Sequence, residues 1–217
     1  MLEKLNKVVG IERIRLGSIE PRLITKEFVE RLSKLDKICS QFHLSLQSGC
    51  DETLKRMNRK YLTKDVEEKT NILREKYADL VLTADVIVGF PGETEDEFEK
   101  TYKFLKKLEP YKIHTFKYSK RRGTVAEKMD KQISPQIKDE RSKKIIELSD
   151  EMQQEYNNKN LNNVVEVLFE EKEGDYYKGH TKNYMMIYVK SNDNLNNQIR
   201  RVKIEKIEDD KIIGKLI

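Results

Sequence analysis

Four polar side chains sit at or near the ends of apolar segments, where an α/β fold keeps its ligands: Glu20 after RIRLGSI, Gln47 closing QFHLSLQ, Arg59 beyond it, and Asp85 heading DVIVGF. A carboxylate at the start of a buried strand is unfavourable without a hydrogen-bond partner, so Asp85 calls for a satisfied cap or for a ligand hydroxyl or amine. Arg59 offers a guanidinium fork that suits a carboxylate in bidentate fashion. Each residue alone is equally a surface salt-bridging group; together they describe a pocket for an amino acid and a ribose. A second group follows in KIHTFKYSKRR, from Lys112 to Arg122, which carries five Lys and Arg and no acid. Strand alternation puts His114, Phe116 and Tyr118 on one face, and Ser119–Gly123 makes a cationic loop beyond them. Lys117, Lys120, Arg121 and Arg122 beside aromatic surface suit phosphates and unpaired bases. The same string also fits a solvated basic loop over a core strand. His43, inside the second strand, reads as a packed core histidine rather than a base. No Ser-His-Asp or Cys-His arrangement, Walker loop or zinc motif is present, and no metal ligands are expected.

These residues need a frame, and the sequence supplies one. LTADVIVGFPGETEDEF (Leu82–Phe98) joins a β-branched strand to a glycine turn and a helix opened by the capping pair Thr94 and Glu97. Val86, Ile87 and Val88 suggest a parallel strand covered on both faces. Four strand-and-helix units are expected up to residue 159. Their strands are Arg13–Ile19, Gln41–Gln47, Val81–Phe90 and Lys112–Tyr118. Their helices run from Thr25 to about Ile38, Asp51 to Arg59, Thr63 to Ala78, and Glu95 to Leu108. Four strands are too few to close a barrel, so the sheet is open or lacks strands upstream. Ser134 and Pro135 start a long closing helix with an apolar stripe of Ile137, Ile145, Leu148, Met152 and Tyr156. After NNKNLNN, five short strands (Val164–Phe169, Tyr176–His180, Met185–Val189, Ile199–Ile204, Lys211–Leu216) suggest a small OB-like barrel over 160–217.

Composition narrows the class. The 217 residues suffice for a medium domain and a small one, and 37% of them are charged, with mean hydropathy −0.77. No apolar run approaches the roughly 18 residues of a membrane helix, and the N-terminus is unlike a signal peptide, so a cytoplasmic protein is expected. Cys39 and Cys50 fit no metal cage or disulfide framework and read as reduced, half-buried thiols. The net charge of +5 lies upstream of Asn160, because the tail balances ten basic residues against ten acidic ones.

Four strings, RIRLGSIEP (Arg13–Pro21), FHLSLQSGCDETLKRMNRKY (Phe42–Tyr61), DVIVGFPGET (Asp85–Thr94) and FKYSKRRGT (Phe116–Thr124), resemble in order and spacing the radical S-adenosylmethionine methylthiotransferases. The wording is closest to the branch that installs a methylthio group on N6-threonylcarbamoyladenosine beside the anticodon of tRNA. GHTKNYMMIYVK (Gly179–Lys190) is similar to that family's C-terminal TRAM domain, a small RNA-binding β-barrel. The resemblance implies the last four units of a partial (β/α) barrel joined to that domain. It implies S-adenosyl-L-methionine held by Glu20, Gln47, Arg59 and Asp85. It also implies contacts to the tRNA anticodon stem-loop from Lys117, Lys120, Arg121 and Arg122, and from Lys182, Tyr184, Arg200 and Arg201 in the tail. For Tyr184 a place in the barrel core is the alternative.

The chain departs from the family in one respect. An intact member carries an N-terminal domain with cluster cysteines and a CxxxCxxC loop whose [4Fe-4S] cluster reduces S-adenosylmethionine; three thiolates are needed there, and Cys39 and Cys50 fit neither motif. The expectation is a truncated stretch of such an enzyme, without redox chemistry of its own. Two other readings remain: a methylthiotransferase acting on a ribosomal protein, and a non-enzymatic RNA-binding scaffold on a degenerate barrel. The strand edge at Arg13–Ile19 would be free to pair with another chain and invites dimerisation.

Overall fold

A computed structural model describes all residues, 1–217. After a single helical turn, α1 (Leu2–Leu5), the chain alternates β1 (Ile14–Ile19), α2 (Lys26–Leu32), β2 (Ile38–Gln47), α3 (Asp51–Arg56), α4 (Thr63–Lys76), β3 (Val81–Val88), α5 (Glu95–Leu108), β4 (Lys112–Lys117) and α6 (Pro135–Lys159). The four strands form one open parallel sheet in sequence order, β1-β2-β3-β4. The strand β1 has a single neighbour, so its outer edge is unpaired within the chain.

Local chemistry sets most boundaries. Thr25 caps α2 by accepting from Phe28 N at 3.1 Å, but α2 stops at Leu32 rather than Ile38. Ile38–Phe42 is buried throughout and pairs with strands on both sides, so tertiary packing takes it for the sheet. The helix α3 ends at Arg56, short of Arg59, because Asn58 turns left-handed at φ 56°. Gly89, at φ 70°, ends β3 two residues before Phe90. In α5, Thr94 Oγ1 accepts from Glu97 N and Glu97 Oε2 accepts from Thr94 N, which is the capping box read from the sequence.

The sheet has two unlike faces. Leu44, Leu46, Ala84, Val86, Val88 and Ile113 are buried in one core with Leu73, Phe98 and Leu105 of α4 and α5 and Ile145 and Leu148 of α6. Each fully buried aliphatic side chain contributes about 1.5–3 kcal/mol. The opposite, inner face carries His43, Gln47, Asp85, Ile87 and His114, all half-buried or exposed. Val86–Val88 is therefore covered on one face rather than both. Ile137, expected on the apolar stripe of α6, lies in its first turn and is 39% exposed, whereas Ile145 and Leu148 further along reach the core.

Beyond α6, β5 (Val164–Glu173), β6 (Tyr176–Thr181), β7 (Met186–Lys190), β8 (Ile199–Glu208) and β9 (Lys211–Leu216) close a barrel in the order β5-β6-β7-β9-β8. Its core takes in Val81 of β3 and Tyr111, which immediately precedes β4, and Tyr111 packs edge to face on Tyr156 of α6 at 5.2 Å. The barrel is also tied to β1 and its flank. Arg13 donates to the carbonyls of His180 and Glu166, and Lys182 donates to the carbonyl of Asp36.

Candidate functional site: a polar pocket on the inner sheet face

A cavity of about 490 Å³ lies at the carboxyl end of β2, β3 and β4. Gln47, Arg59 and Asp85, drawn from three separate stretches, all line it, together with Ile87, Phe90, Phe116, Tyr118 and Arg121. Gln47 closes β2 at φ 68°, the left-handed region that favours glycine, and the β2–β3 register shifts between Leu44 and Gln47. Such backbone costs about 1 kcal/mol or more and persists where the surroundings enforce it. Two buried donors in the pocket lining have no partner within the chain: Arg59 Nε and Tyr118 Oη. Burial pushes the Tyr118 hydroxyl up from its ordinary value. Phe90 and Tyr118 meet edge to face at 5.3 Å, making an aromatic wall.

The turn after β3 shapes that wall. Glu93 Oε1 accepts from Gly89 N at 3.0 Å and from Arg141 Nη1 at 2.7 Å, and Arg141 also donates to the Glu93 carbonyl and to Glu95. Both Glu93 and Arg141 are buried, and burial raises the Glu93 carboxyl above its usual range. Nothing in the sequence singled out Arg141, one basic residue among many on α6.

Asp85 is not at the head of its strand; β3 begins at Val81, and Asp85 faces the pocket from mid-strand with its side chain 24% exposed. Its partner within the chain is His43, whose Nε2 lies 3.0 Å from Asp85 Oδ2. His43 is accordingly half-buried and hydrogen-bonded on both ring nitrogens, not packed in an apolar core. His114 stacks edge to face on it at 5.4 Å, and burial lowers the His114 pKa below its ordinary value. Glu20 is absent from the pocket lining and pairs with Arg22 at 2.9 Å.

The expected nucleic-acid residues separate into two groups. Lys120, Arg121 and Arg122 are exposed and form no ion pair. Lys117 is paired with Asp139 at 2.7 Å, and Lys182 serves the junction with Asp36. Tyr184, at φ 77°, is held between the Arg15 guanidinium, 4.0 Å from its ring centroid, and the His180 ring stacked at 4.5 Å. It belongs to the seam between sheet and barrel, not to the barrel core. Arg200 is exposed and turned onto Gln198, whereas Arg201 is exposed with no side-chain partner.

The donor set fits S-adenosylmethionine: a guanidinium for the amino-acid carboxylate, a carboxylate for ammonium or ribose hydroxyls, and aromatic walls for a base. An iron–sulfur cluster does not fit. Cys39 and Cys50 are both buried, burial raises both thiol pKa values, and no three His, Cys, Asp or Glu side chains gather to hold a metal.

Residues 1–105 match the Radical SAM superfamily model. The threonylcarbamoyladenosine tRNA methylthiotransferase MtaB of Bacillus subtilis is 42% identical over 205 residues, covering 92% of this chain and 46% of that protein. A tRNA-2-methylthio-N(6)-dimethylallyladenosine synthase of Caldicellulosiruptor saccharolyticus is 35% identical over the whole chain and 46% of its own length. The chain thus spans about half the length of these relatives. Among solved structures, coproporphyrinogen III oxidase (HemN) from Escherichia coli, a radical SAM enzyme, superposes with a TM-score of 0.55 over 78% of this chain and 46% of its own, at 17% identity, a likeness of fold.

Proposed function

The chain belongs with the radical SAM methylthiotransferases, and from that premise we propose that it forms part of a tRNA-modifying enzyme: its pocket holds S-adenosyl-L-methionine and its cationic loop holds tRNA. The observation that carries this reading is the convergence of Gln47, Arg59 and Asp85 on one cavity with Arg121 at its margin.

Arg59 pairs with the amino-acid carboxylate of the ligand, and its orphaned Nε gains an acceptor. Asp85 accepts from the ribose hydroxyls or the ammonium. Phe90 and Tyr118 exclude water from the apolar side and offer ring surface to the adenine. When bound, S-adenosylmethionine supplies the methyl and adenosyl groups of the family's chemistry; the residues present here bind and orient it. Family members pair it with a [4Fe-4S] cluster, whose ligands these residues do not provide.

For the substrate this reading takes the one in the name of the Bacillus relative, threonylcarbamoyladenosine of tRNA, as the acceptor of the methylthio group. Lys120, Arg121 and Arg122 make the phosphate contacts, since they are exposed and unpaired beside the pocket. Arg200 and Arg201, also exposed, are the weaker candidates on the barrel, which takes the TRAM role of gripping RNA. Isothermal titration of the chain with S-adenosyl-L-methionine tests the pocket. Saturable binding that weakens in Asp85→Asn and Arg59→Ala is expected; binding indifferent to both substitutions would remove the basis of the assignment.

A further inference from the structure

Three side chains behind Asp85 form a directed hydrogen-bond chain. Gln41 Nε2 donates to Thr83 Oγ1 at 2.8 Å, Thr83 Oγ1 lies 2.8 Å from His43 Nδ1, and His43 Nε2 lies 3.0 Å from Asp85 Oδ2. With His43 neutral, counting donors fixes the order. An amide nitrogen has only hydrogens to give, so Gln41 occupies a lone pair of the hydroxyl. An ionised carboxylate only accepts, so the proton of a neutral His43 that faces Asp85 sits on Nε2. That leaves Nδ1 as a bare acceptor, and the Thr83 hydroxyl turns its own proton toward it. Every donor then points the same way, from Gln41 through Thr83 and His43 to Asp85 Oδ2. Gln41 and Thr83 are 4% and 2% exposed, so water does not compete for the inner links. Asp85 Oδ1, by contrast, has no partner within the chain, and Asp85 lines the pocket.

We propose that Gln41, Thr83 and His43 are a positioning relay that pins Oδ2 of Asp85 and presents Oδ1 to a donor group of the ligand. The proposal rests on the reading that this pocket holds S-adenosylmethionine. A carboxylate fixed by one oxygen keeps its second as a single aimed acceptor, which selects a hydroxyl or ammonium at one place and loses no rotamer freedom on binding. His43 is thus a positioning residue and touches no ligand. The sequence held a signal for it: Gln41, His43 and Gln47 alternate on one strand face with Thr83 and Asp85 beside them, too many polar groups for a strand packed on both sides.

The test combines a spectroscopic readout with a binding one, on the full chain. Long-range 1H–15N spectra of histidine-labelled protein, with His43 assigned by replacing His114 and His180 in turn, report its tautomer near neutral pH. The Nε2–H form is expected, with Thr83→Val shifting the population. Titration with S-adenosyl-L-methionine, and separately with S-adenosyl-L-homocysteine, should weaken roughly three- to tenfold in His43→Leu. His43→Gln keeps a donor near the Nε2 position and should stay close to the unsubstituted chain. An Nδ1–H tautomer, or equal affinity in His43→Leu and the unsubstituted chain, overturns the relay; if Asp85→Asn still weakens binding, the pocket reading survives that loss. No binding by the unsubstituted chain overturns the pocket reading and the relay with it. If His43→Leu fails to fold, the tautomer together with the His43→Gln and Thr83→Val affinities decides.

Discussion

Arg56 Nη1 lies 2.8 Å from Glu97 Oε1, and the other terminal nitrogen of Arg56 reaches Oε2 of the same carboxylate. Glu97 at the same time closes the capping box of α5, accepting from Thr94 N at 3.0 Å. One carboxylate therefore starts a helix and ties α3, which leads to Arg59, to α5, which follows the glycine turn after β3.

Removing that group should matter more than removing its capping partner. Thr94→Ala is expected to lower stability by about 1 kcal/mol, the usual loss for an N-cap hydroxyl. Glu97→Ala also strands Arg56 and should lower it by about 2–3 kcal/mol. Urea denaturation of both variants measures the difference; equal losses would show that the ion pair adds nothing to the cap.

The same pair predicts a pH dependence. Its hydrogen bonds with Arg56 hold the Glu97 carboxyl below its ordinary range. A carboxyl depressed in the folded state stabilises fully above its unfolded value, about 4.3, and that stabilisation fades as pH falls through the folded value. Glu97→Gln keeps the capping box but loses the charge. It should be less stable than the natural sequence at pH 7, with the gap narrowing below about pH 4. Parallel stability curves from pH 7 down to about pH 3 would contradict this.

Arg141 and Glu93 make a buried pair, each less than a tenth exposed, beneath the pocket wall. Arg141→Met leaves a buried carboxylate without its cation and should cost about 3 kcal/mol. Adding Glu93→Gln removes the stranded charge and should recover much of that loss, because an apolar or neutral replacement of a buried pair is often tolerated. Thermal melts of the single and double variants decide it, and strict additivity would mean that the two groups do not interact.

How far the sequence carried this picture depended on whether local chemistry or tertiary contact controlled each feature. The bounds of α5 follow from Thr94, Glu97 and the apolar spacing of Phe98, Phe104, Leu105 and Leu108, all local. The alternation of strands and helices and the five barrel strands were legible for the same reason. Ile38–Phe42 was not, because its pull toward the sheet comes from partners distant in sequence. Gln47, Arg59 and Asp85 converge as the strand-end argument expects, whereas Glu20 turns aside to a neighbour, Arg22, that the argument did not weigh. Lys117 and Lys182 looked like free cations because sequence does not reveal that Asp139 and the Asp36 carbonyl lie across from them.

The proposal that this chain grips tRNA beside a pocket for S-adenosylmethionine is tested most directly, in its RNA half, by a salt titration. Fluorescence anisotropy would follow binding of tRNA with and without threonylcarbamoyladenosine over a series of salt concentrations. The account predicts salt-steep binding whose slope falls by roughly one for each of Lys120, Arg121 and Arg122 replaced by alanine. It predicts little change for Lys117→Ala, and tighter binding of the modified tRNA. Absence of binding at low salt, or a slope unmoved by the triple substitution, would contradict it and turn attention to a protein substrate.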